Sequence, residues 1–271
     1  MSVEPIVRCD HLVKFYDTPT GRVQAVRGAD IELFAGVTAA VIGPSGSGKS
    51  SLLRMLAGLD RPTAGVVLLD GIDIWALSER ARSRCRATLL THVYQRPGDN
   101  LFGHLTAAMQ LERVAPRGPD GRTSIGEWLD VLNLTHRRDH TPDAMSGGER
   151  QRLAFARAAV AGHRLVIADE PTSQLDTASA QSVMEAVDHL ADHGVTVVVA
   201  THDRRVLDRV DQVIGLRDGA IATVTSGGSE LAVIDRSGRL QLPLALQARF
   251  PDRRLRLVWS EDDDEIGLER P

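Results

Sequence analysis

Residues 43–51 of the chain read GPSGSGKSS and fit the phosphate-binding pattern G-x-x-x-x-G-K-[ST]. The stretch lies between an apolar run at 38–43, TAAVIG, and a helical pattern at 50–58, SSLLRMLAG. Gly46 and Gly48 let the backbone turn so that successive N–H groups face an anion, and the following helix adds its positive N-terminal end. Because strand, loop and helix occur in this order, the stretch predicts a nucleotide phosphate site and not a chance glycine-rich turn.

Two side chains of this loop have roles that follow from their chemistry. Lys49 carries a compact ammonium suited to the β- and γ-phosphates of a nucleotide, and the hydroxyl of Ser50 is a suitable magnesium ligand. The predicted nucleotide-contacting residues of the stretch are Gly43, Pro44, Ser45, Gly46, Ser47, Gly48, Lys49, Ser50 and Ser51.

A second apolar run, HRLVIADEP at 163–171, ends in two carboxylates. Asp169 is suited to hold Mg²⁺, which prefers few carboxylates together with phosphate and water. Glu170, one residue later, points elsewhere and can orient or deprotonate an attacking water. An Asp-Glu pair after a strand is only moderately specific, but together with the phosphate loop it predicts nucleotide hydrolysis.

Apolar runs and helical patterns alternate along much of the chain, which is typical of an α/β fold with a parallel sheet. A third buried run, VTVVVATHD at 195–203, follows an amphipathic pattern at 179–194 that ends at Gly194. The sequence therefore predicts at least three buried parallel strands connected by helices.

Two regions depart from this alternation. Residues 96–160 lack buried apolar runs of this kind and are predicted to form a helical subdomain. The stretch 211–224, DQVIGLRDGAIATV, predicts a β-hairpin that turns at Asp218-Gly219.

The bulk composition limits the class of protein. The 271 residues are 42% hydrophobic and 25% charged, enough to bury a large core in one or two domains. A formal net charge of -4 argues against a general nucleic-acid binder. Cys9 and Cys85 are the two cysteines and suit a reducing compartment. No signal-peptide pattern and no run of roughly 20 apolar residues is present, so we expect a soluble, cytoplasmic protein whose membrane role comes through a partner.

The phosphate loop, the Asp-Glu pair and MSGGERQR at 145–152 together resemble the ATP-binding cassette (ABC) ATPase family, over about residues 5–224. The resemblance implies a P-loop α/β fold with a mostly parallel sheet, an N-terminal antiparallel β part and the helical subdomain. It also implies ATP hydrolysis, with ATP and Mg²⁺ as cofactors. The predicted boundaries are 1–225 for the ABC ATPase domain, with its helical subdomain at about 96–160, 226–229 for a flexible linker, and 230–271 for a small β-rich segment.

In this family the Ser-Gly-Gly motif, here Ser146, Gly147 and Gly148, contacts the γ-phosphate of ATP held by the other subunit. The physics agrees, because the motif begins a helix whose free N-terminal N–H groups attract an anion. The alternative is an ordinary capping box, with Ser146 as N-cap and Glu149 three residues later. Met145 replaces the leucine usual in the family, a swap that conserves volume. The resemblance therefore implies a homodimer around two ATP molecules.

Four further positions match motifs of the family. Gln95 in HVYQRP matches the glutamine that links magnesium and the attacking water to the helical subdomain. His202 matches the switch histidine at the γ-phosphate, and Asp176 matches the residue that reaches across the dimer seam. Tyr16 matches the aromatic that stacks on adenine, although Phe15 is adjacent and a core position for the tyrosine is the alternative. The implied catalytic residues are Glu170, His202 and Gln95, and the implied magnesium ligands are Ser50, Gln95 and Asp169.

Several local stretches resemble the lipoprotein-release and macrolide-exporter group, among them AVRGADIELFAG, NLFGHLTAAMQLERV and LRDGAI. The resemblance implies an ATPase subunit that drives a separate membrane permease, of export or mechanotransmission type, from the cytoplasmic face of the membrane. Importer cassettes share most core motifs, so the substrate and the direction of transport stay open. The alternative function is a soluble regulatory ABC ATPase that binds DNA through its C-terminal segment, and nucleic acid is the less favoured partner.

The stretch LAVIDRSGRLQLPLALQARF resembles the AbrB-like swapped-hairpin module of bacterial regulators, through Asp235, Gly238, Arg239 and Pro243. A segment this short rarely folds alone, so we expect it to dimerise, with DNA binding and docking onto the cassette as alternatives. Its arginines favour DNA, whereas the net negative charge and the acidic cluster at 261–265 oppose it. We interpret that cluster as a solvated turn between two strands, with a metal site as the alternative.

Two histidine pairs also recur at helical spacing, His136/His140 and His189/His193. An i, i+4 pair can bind metal, but neither pair has a third candidate ligand nearby. We interpret both pairs as solvated helix faces.

Overall fold

The computed structural model describes residues 4–19, 21–116, 119–227, 229–234, 240, 256–260 and 265–269. The strands are β1 (Val7–Thr18), β2 (Gly21–Leu33), β3 (Thr38–Ile42), β4 (Ala64–Leu69), β5 (Ile72–Asp73), β6 (Leu90–Val93), β7 (Leu165–Asp169), β8 (Thr196–Ala200), β9 (Gln212–Arg217), β10 (Ala220–Ser226), β11 (Ser229–Ala232), β12 (Arg256–Ser260) and β13 (Glu265–Glu269). The helices are α1 (Lys49–Leu56), α2 (Glu79–Leu89), α3 (Ala107–Glu112), α4 (Pro119–Val131), α5 (Gly147–Val160), α6 (Thr177–Asp192) and α7 (Arg204–Leu207).

A seven-stranded sheet in the order β11-β10-β9-β3-β8-β7-β6 forms the centre of the protein. The strands from β9 to β6 in this order pair in parallel, while β10 and β11 add antiparallel pairs at one edge. The inner strands β3, β7 and β8 are buried along almost their whole length. Buried parallel strands are what their continuous apolar runs predict, and the α/β prediction is confirmed.

A second, four-stranded sheet in the order β2-β1-β4-β5 pairs antiparallel throughout. It shares its hydrophobic core with α1 and with residues of the central sheet, including Leu12, Leu52, Leu69 and Ile214. This sheet is the antiparallel β part that the sequence resemblance implies, and it places β1 and β2 beside the start of α1.

Helices α3, α4 and α5 pack around a core of their own, which includes Leu111, Leu129 and Leu153. Three short 3-10 helices complete the region, at Pro97–Asn100, Thr135–Arg137 and Pro142–Ala144. Within 96–116 and 119–160 the structure contains helices and no strand. Among the described residues, no helix combines the length and the apolar character needed to cross a bilayer.

The predicted turn at Asp218-Gly219 connects β9 to β10, and both residues have positive φ angles, 48° and 83°. Of the stretch predicted as a flexible linker at 226–229, the structure describes Ser226, Gly227 and Ser229. Ser226 pairs with Ser229 where β10 turns into β11, because the edge of the central sheet offers free backbone groups to one more strand.

Less of the C-terminal segment is described. Asp235, Gly238, Arg239 and Pro243, which carry the AbrB-like prediction, lie outside the described residues, as do Gly228 and most of the acidic cluster. An isolated bridge joins Ile234 to Leu240. Farther on, β12 and β13 pair antiparallel in a two-stranded sheet.

Candidate functional site

The predicted phosphate loop connects β3 to α1 and borders a cavity of about 670 Å³. Two of its glycines are required by close backbone contacts. A Cβ on Gly43 would lie 2.1 Å from the carbonyl oxygen of Leu216, and one on Gly48 would lie 2.1 Å from that of Ala25. The residues lining the cavity are Tyr16, Ala25, Gly43, Pro44, Ser45, Gly46, Gly48, Lys49, Ser50, Ser51, Gln95, Asp169, Glu170, Ser173 and His202.

The loop brings together groups that can bind an anion. The ammonium of Lys49 donates hydrogen bonds to the carbonyl oxygens of Gly43 at 2.8 Å and Pro44 at 3.2 Å. The N-cap of α1 is Gly48, which has no side chain to satisfy the N–H groups of the first helical turn. Those N–H groups and the lysine are therefore available to an anion such as a phosphate.

A candidate metal position lies opposite the loop, at the end of β7. The Oδ1 atom of Asp169 is buried and has no hydrogen-bond partner among the described residues. Burial raises the pKa of Asp169, a hydrogen bond from Ser50 opposes that rise, and the charge of Glu170 adds to it. An unpartnered carboxylate oxygen beside a hydroxyl is a donor set that suits Mg²⁺. Because the carboxylate is buried, a bound cation would stabilise its negative charge.

Glu170 and His202 meet inside the cavity. Oε2 of Glu170 lies 2.7 Å from Nδ1 of His202. Glu170 has a φ of 49°, in the left-handed region that non-glycine residues rarely adopt. Backbone outliers of this kind cluster at functional sites.

Gln95 reaches the same cavity from the loop after β6. Its Nε2 donates to Oγ of Ser173 at 3.2 Å, and this hydroxyl donates to the backbone oxygen of Glu170 at 3.0 Å. Ser173 is a cavity residue that was not predicted from the sequence, although it lies only three positions before Asp176. Ala25 is the second such residue and contributes from β2.

Tyr16, and not Phe15, lines the cavity. Its hydroxyl donates to Oδ2 of Asp60 at 2.5 Å, and the ammonium of Lys14 lies 2.5 Å from the other carboxylate oxygen. Partial burial first, and the acceptor Asp60 second, raise the pKa of Tyr16. The tyrosine is therefore held by its hydroxyl, which leaves its ring at the cavity wall as a flat apolar surface.

The Ser-Gly-Gly motif lies apart from this cavity. Ser146 is exposed and is the N-cap of α5, where its hydroxyl accepts a hydrogen bond from the backbone N–H of Glu149 at 3.2 Å. The carboxylate of Glu149 accepts in return from the N–H of Ser146 at 2.8 Å. The capping box that the sequence offered as an alternative is thus present. A Cβ on Gly148 would lie 2.8 Å from Cβ of Ser179, so glycine lets α5 approach α6.

Glu149 also holds the neighbouring 3-10 helix. Its Oε1 atom accepts from Nε of Arg137 at 2.9 Å and lies 3.2 Å from Nε2 of His136. Burial alone would raise the pKa of Glu149, but the hydrogen bonds from Ser146, Arg137 and His136 lower it to about 2. This depressed pKa gives a contribution to stability that is present above the ordinary carboxyl pKa and is lost as the pH falls towards 2.

The predicted residues thus separate into two groups. The cavity brings together Tyr16, Gln95, Asp169, Glu170, His202 and the phosphate-loop residues other than Ser47, which is buried beside it. Ser146, Gly147, Gly148 and Asp176 lie outside the cavity. Asp176 is exposed and caps α6 by accepting from the backbone N–H of Ser179 at 2.9 Å.

The histidine pairs form no metal site in the described part of the chain, where no group of three or more potential ligands occurs. His136 contacts Glu149. The Nδ1 atom of His193 lies 2.7 Å from the carbonyl oxygen of His189, as expected of a capped helix end.

Comparison with known proteins adds the following. Residues 26–173 match the family described as ABC transporter. The lipoprotein-releasing system ATP-binding protein LolD 2 of Caulobacter vibrioides is 39% identical over 225 residues, 80% of this chain and 96% of that protein. The macrolide export ATP-binding/permease protein MacB of Brucella abortus is 36% identical over 230 residues, 83% of this chain and 35% of that protein. The dimeric post-hydrolysis structure of the ATP-binding cassette MJ0796, bound to ADP and Pi, has a TM-score of 0.72 at 31% identity and covers 81% of this chain and 98% of its own.

Proposed function

The chain belongs to the ABC transporter family as an ATP-hydrolysing nucleotide-binding subunit, and from this premise we propose that it works as a homodimer on a separate membrane permease. The observation that carries the proposal is the separation of the two groups of predicted residues. One cavity collects the groups proposed to bind a nucleotide and activate a water, while Ser146, Gly147 and Gly148 lie outside it: Ser146 is exposed, Gly147 half-buried and Gly148 buried. A helix N-terminus that attracts anions but lies outside the nucleotide cavity of its own subunit can bind the phosphate of a nucleotide held by a second subunit.

In this proposal each cavity binds one ATP. The phosphates occupy the loop at Gly43–Ser51, where Lys49 and the first N–H groups of α1 neutralise their charge. The ring of Tyr16 stacks on the adenine, and its hydroxyl contact with Asp60 fixes the orientation of that ring.

Mg²⁺ is the metal that the donor set fits. Asp169 and Ser50 would hold it, with Gln95 approaching from the helical side of the cavity. When bound, the ion supplies positive charge to the phosphate oxygens, a large part of catalysis in phosphoryl transfer. The unpartnered Oδ1 of Asp169 supports this assignment.

Glu170 is the proposed general base. Its carboxylate takes a proton from the attacking water, and His202, 2.7 Å away, keeps the carboxylate oriented and contacts the γ-phosphate. Gln95 positions the same water and is itself oriented by Ser173. Two subunits close when each donates Ser146, Gly147 and Gly148 to the γ-phosphate of the other, and Asp176 reaches across the same seam. ATP drives closure because it binds the closed state more tightly than the open one.

The permease docks on the helical subdomain in this proposal, which places the chain at the cytoplasmic face of the membrane. Two large apolar side chains are exposed there, Phe102 by 45% and Met109 by 48%. The relatives named for lipoprotein release and macrolide export favour a permease of the same group.

Affinity purification of the tagged chain from detergent-solubilised membranes of its host is expected to recover an integral membrane protein. Met109→Glu should lose this partner, because a charge at the exposed position opposes an apolar contact. Val131→Glu, at another exposed apolar position of the same subdomain (39% exposed, against 48% for Met109), is the matched control and should keep it. ATP should stabilise both variants against heat as it does the parent. Recovery of DNA without a membrane protein, or equal capture by Met109→Glu, would contradict the proposal.

We further propose that residues 230–271 strengthen the homodimer between ATPase cycles, the role expected of an AbrB-like module. Three exposed apolar side chains support this: Leu231 on β11, exposed by 65%, and the bridged pair Ile234 and Leu240, exposed by 65% and 42%.

Ending the chain at Ser226 is expected to shift nucleotide-free protein from dimer towards monomer in analytical ultracentrifugation. The shortened chain should still dimerise with ATP when it also carries Glu170→Gln, because that contact uses Ser146 and not the C-terminal segment. Identical sedimentation of the two nucleotide-free proteins would rule out this role.

A further inference from the structure

The loop that carries Gln95 is closed by one side chain. We call residues 94–102 the Gln95 segment; it connects β6 to the helical subdomain. The Oδ1 atom of Asn100 accepts from the backbone N–H of Tyr94 at 2.8 Å, and Nδ2 of Asn100 donates to the carbonyl oxygen of His92 at 2.7 Å. Asn100 therefore uses both ends of its amide to fix the two residues that flank Val93, at the base of the segment.

Side chains from α5 and α3 hold the same segment from outside. A guanidinium nitrogen of Arg157 on α5 donates to the carbonyl oxygen of Asn100. Gln151 lies six residues earlier on α5, and its Nε2 atom is 3.5 Å from the carbonyl oxygen of Tyr94. The fully buried amide of Gln110 on α3 accepts from the N–H of Phe102 at 3.1 Å and donates to its oxygen at 2.7 Å. Both ends of the segment are thus bonded to the helical subdomain.

Arg157 is a partly buried cation that bonds to a backbone carbonyl oxygen. Burial first, and the charge of Arg113 second, lower the pKa of Arg157, and no carboxylate among the described residues offsets these effects. Its guanidinium lies 5.8 Å from the ring centroid of Phe102 and bonds to a neutral carbonyl. A cation is costly to bury without a counter-charge. The hydrogen bond from Arg157 to the carbonyl oxygen of Asn100 offsets part of that cost.

We propose that Asn100 and Arg157 are positioning residues for Gln95, which tie its placement in the cavity to the orientation of α5. Helix α5 begins beside Ser146 and reaches Arg157 about three turns later. A rotation of α5 that presents Ser146 to a second subunit is passed through Arg157 and Asn100 to the base of the Gln95 segment. The γ-phosphate contact and the placement of Gln95 then become one movement. This inference rests on the proposed function, in which Gln95 positions the attacking water.

A double-mutant cycle on the full-length protein tests whether the two residues act through Gln95. Asn100→Asp keeps the acceptor for Tyr94 and removes the donor to His92. We expect it to lower kcat about tenfold or more, because small misplacements of a positioning group are costly, while KM for ATP stays within about twofold of the parent value. In a Gln95→Ala background the same change should lower kcat no further. The effects of two substitutions are not additive when both act through the same group, here the side chain of Gln95.

A second readout does not depend on turnover. In nucleotide-free protein, Asn100→Asp and Arg157→Met should each speed amide hydrogen exchange in residues 94–102, while exchange in α5 stays as in the parent. Arg157→Lys keeps the charge and one donor, and should restore part of the protection. Arg113→Gln is the matched control, because Arg113 lies 5.3 Å from the same Phe102 ring but is exposed; it should change neither readout.

Two results would overturn the inference, and they differ in what else they affect. If Asn100→Asp lowers kcat equally in the parent and in the Gln95→Ala background, the residues support the fold and do not act through Gln95, and the proposed function stands. If Gln95→Ala leaves kcat unchanged, the role of Gln95 in the proposed function is wrong and the inference fails with it.

Discussion

Glu170→Gln is expected to lower the rate of ATP hydrolysis by about 10²- to 10⁴-fold, the usual contribution of a general base, while ATP binding stays within about twofold of the parent value. The amide keeps the size of the carboxylate and a polar contact to His202 but cannot accept the proton of the water. Because ATP then stays uncleaved at the seam, the variant should accumulate as a dimer when ATP and Mg²⁺ are added. Steady-state phosphate release and size-exclusion chromatography measure the two effects.

Glu185→Gln is the matched control for this change. Glu185 lies exposed on α6 and contacts Gln181, away from the cavity, so its amide variant should turn over as the parent does. Unaltered phosphate release by Glu170→Gln would remove the glutamate from the role of base. Severe loss of ATP binding would instead mean that its charge holds the cavity together.

Ser146→Arg should abolish hydrolysis while the monomer still binds ATP with the affinity of the parent protein. The long cation fills the position where the γ-phosphate of the partner's ATP would lie, and Ser146 does not line the cavity of its own subunit. In a Glu170→Gln background, Ser146→Arg should also prevent the ATP-dependent dimer. Fluorescent-nucleotide titration and ultracentrifugation distinguish binding from association.

The substitution also removes a helix cap, which costs typically about 1 kcal/mol, and this effect needs its own control. Ser78 caps α2 by accepting from the N–H of Ala81 at 3.4 Å. It is exposed, and it lies far from the Ser-Gly-Gly motif in the sequence. Ser78→Arg should show a comparable loss of thermal stability with normal hydrolysis. If Ser146→Arg itself failed to bind ATP, the motif would belong to its own subunit's site and the shared-site proposal would be wrong.

The sequence predicted best where one local pattern carries the whole signal. The spacing of GPSGSGKSS required the strand, loop and helix that the structure contains, and Asp218-Gly219 gave the turn between β9 and β10, because glycine and aspartate tolerate positive φ angles. Asp169 and Glu170 are adjacent in the sequence, and both line the cavity.

Features set by distant contacts were harder to predict. Ser173 lies 78 positions from Gln95, and its hydroxyl meets that amide only because β6 and β7 are neighbours in the central sheet. The stretch 226–229 has the composition of a flexible linker, and its two serines, Ser226 and Ser229, pair at the edge that β10 offers. Whether a glycine-serine stretch pairs depends on what lies beside it, and composition alone does not contain that information.

The capping box at Ser146 has a consequence for how a second subunit is recognised. A serine hydroxyl has two lone pairs and one hydrogen, and the N–H of Glu149 occupies only a lone pair. The hydrogen stays free to donate to an anionic oxygen, so the cap and a phosphate contact can exist together. The rotamer of Ser146 is already fixed before the partner arrives, and association loses little side-chain entropy at this position. In the proposed homodimer, this helix end is therefore preorganised for a phosphate bound by the partner subunit.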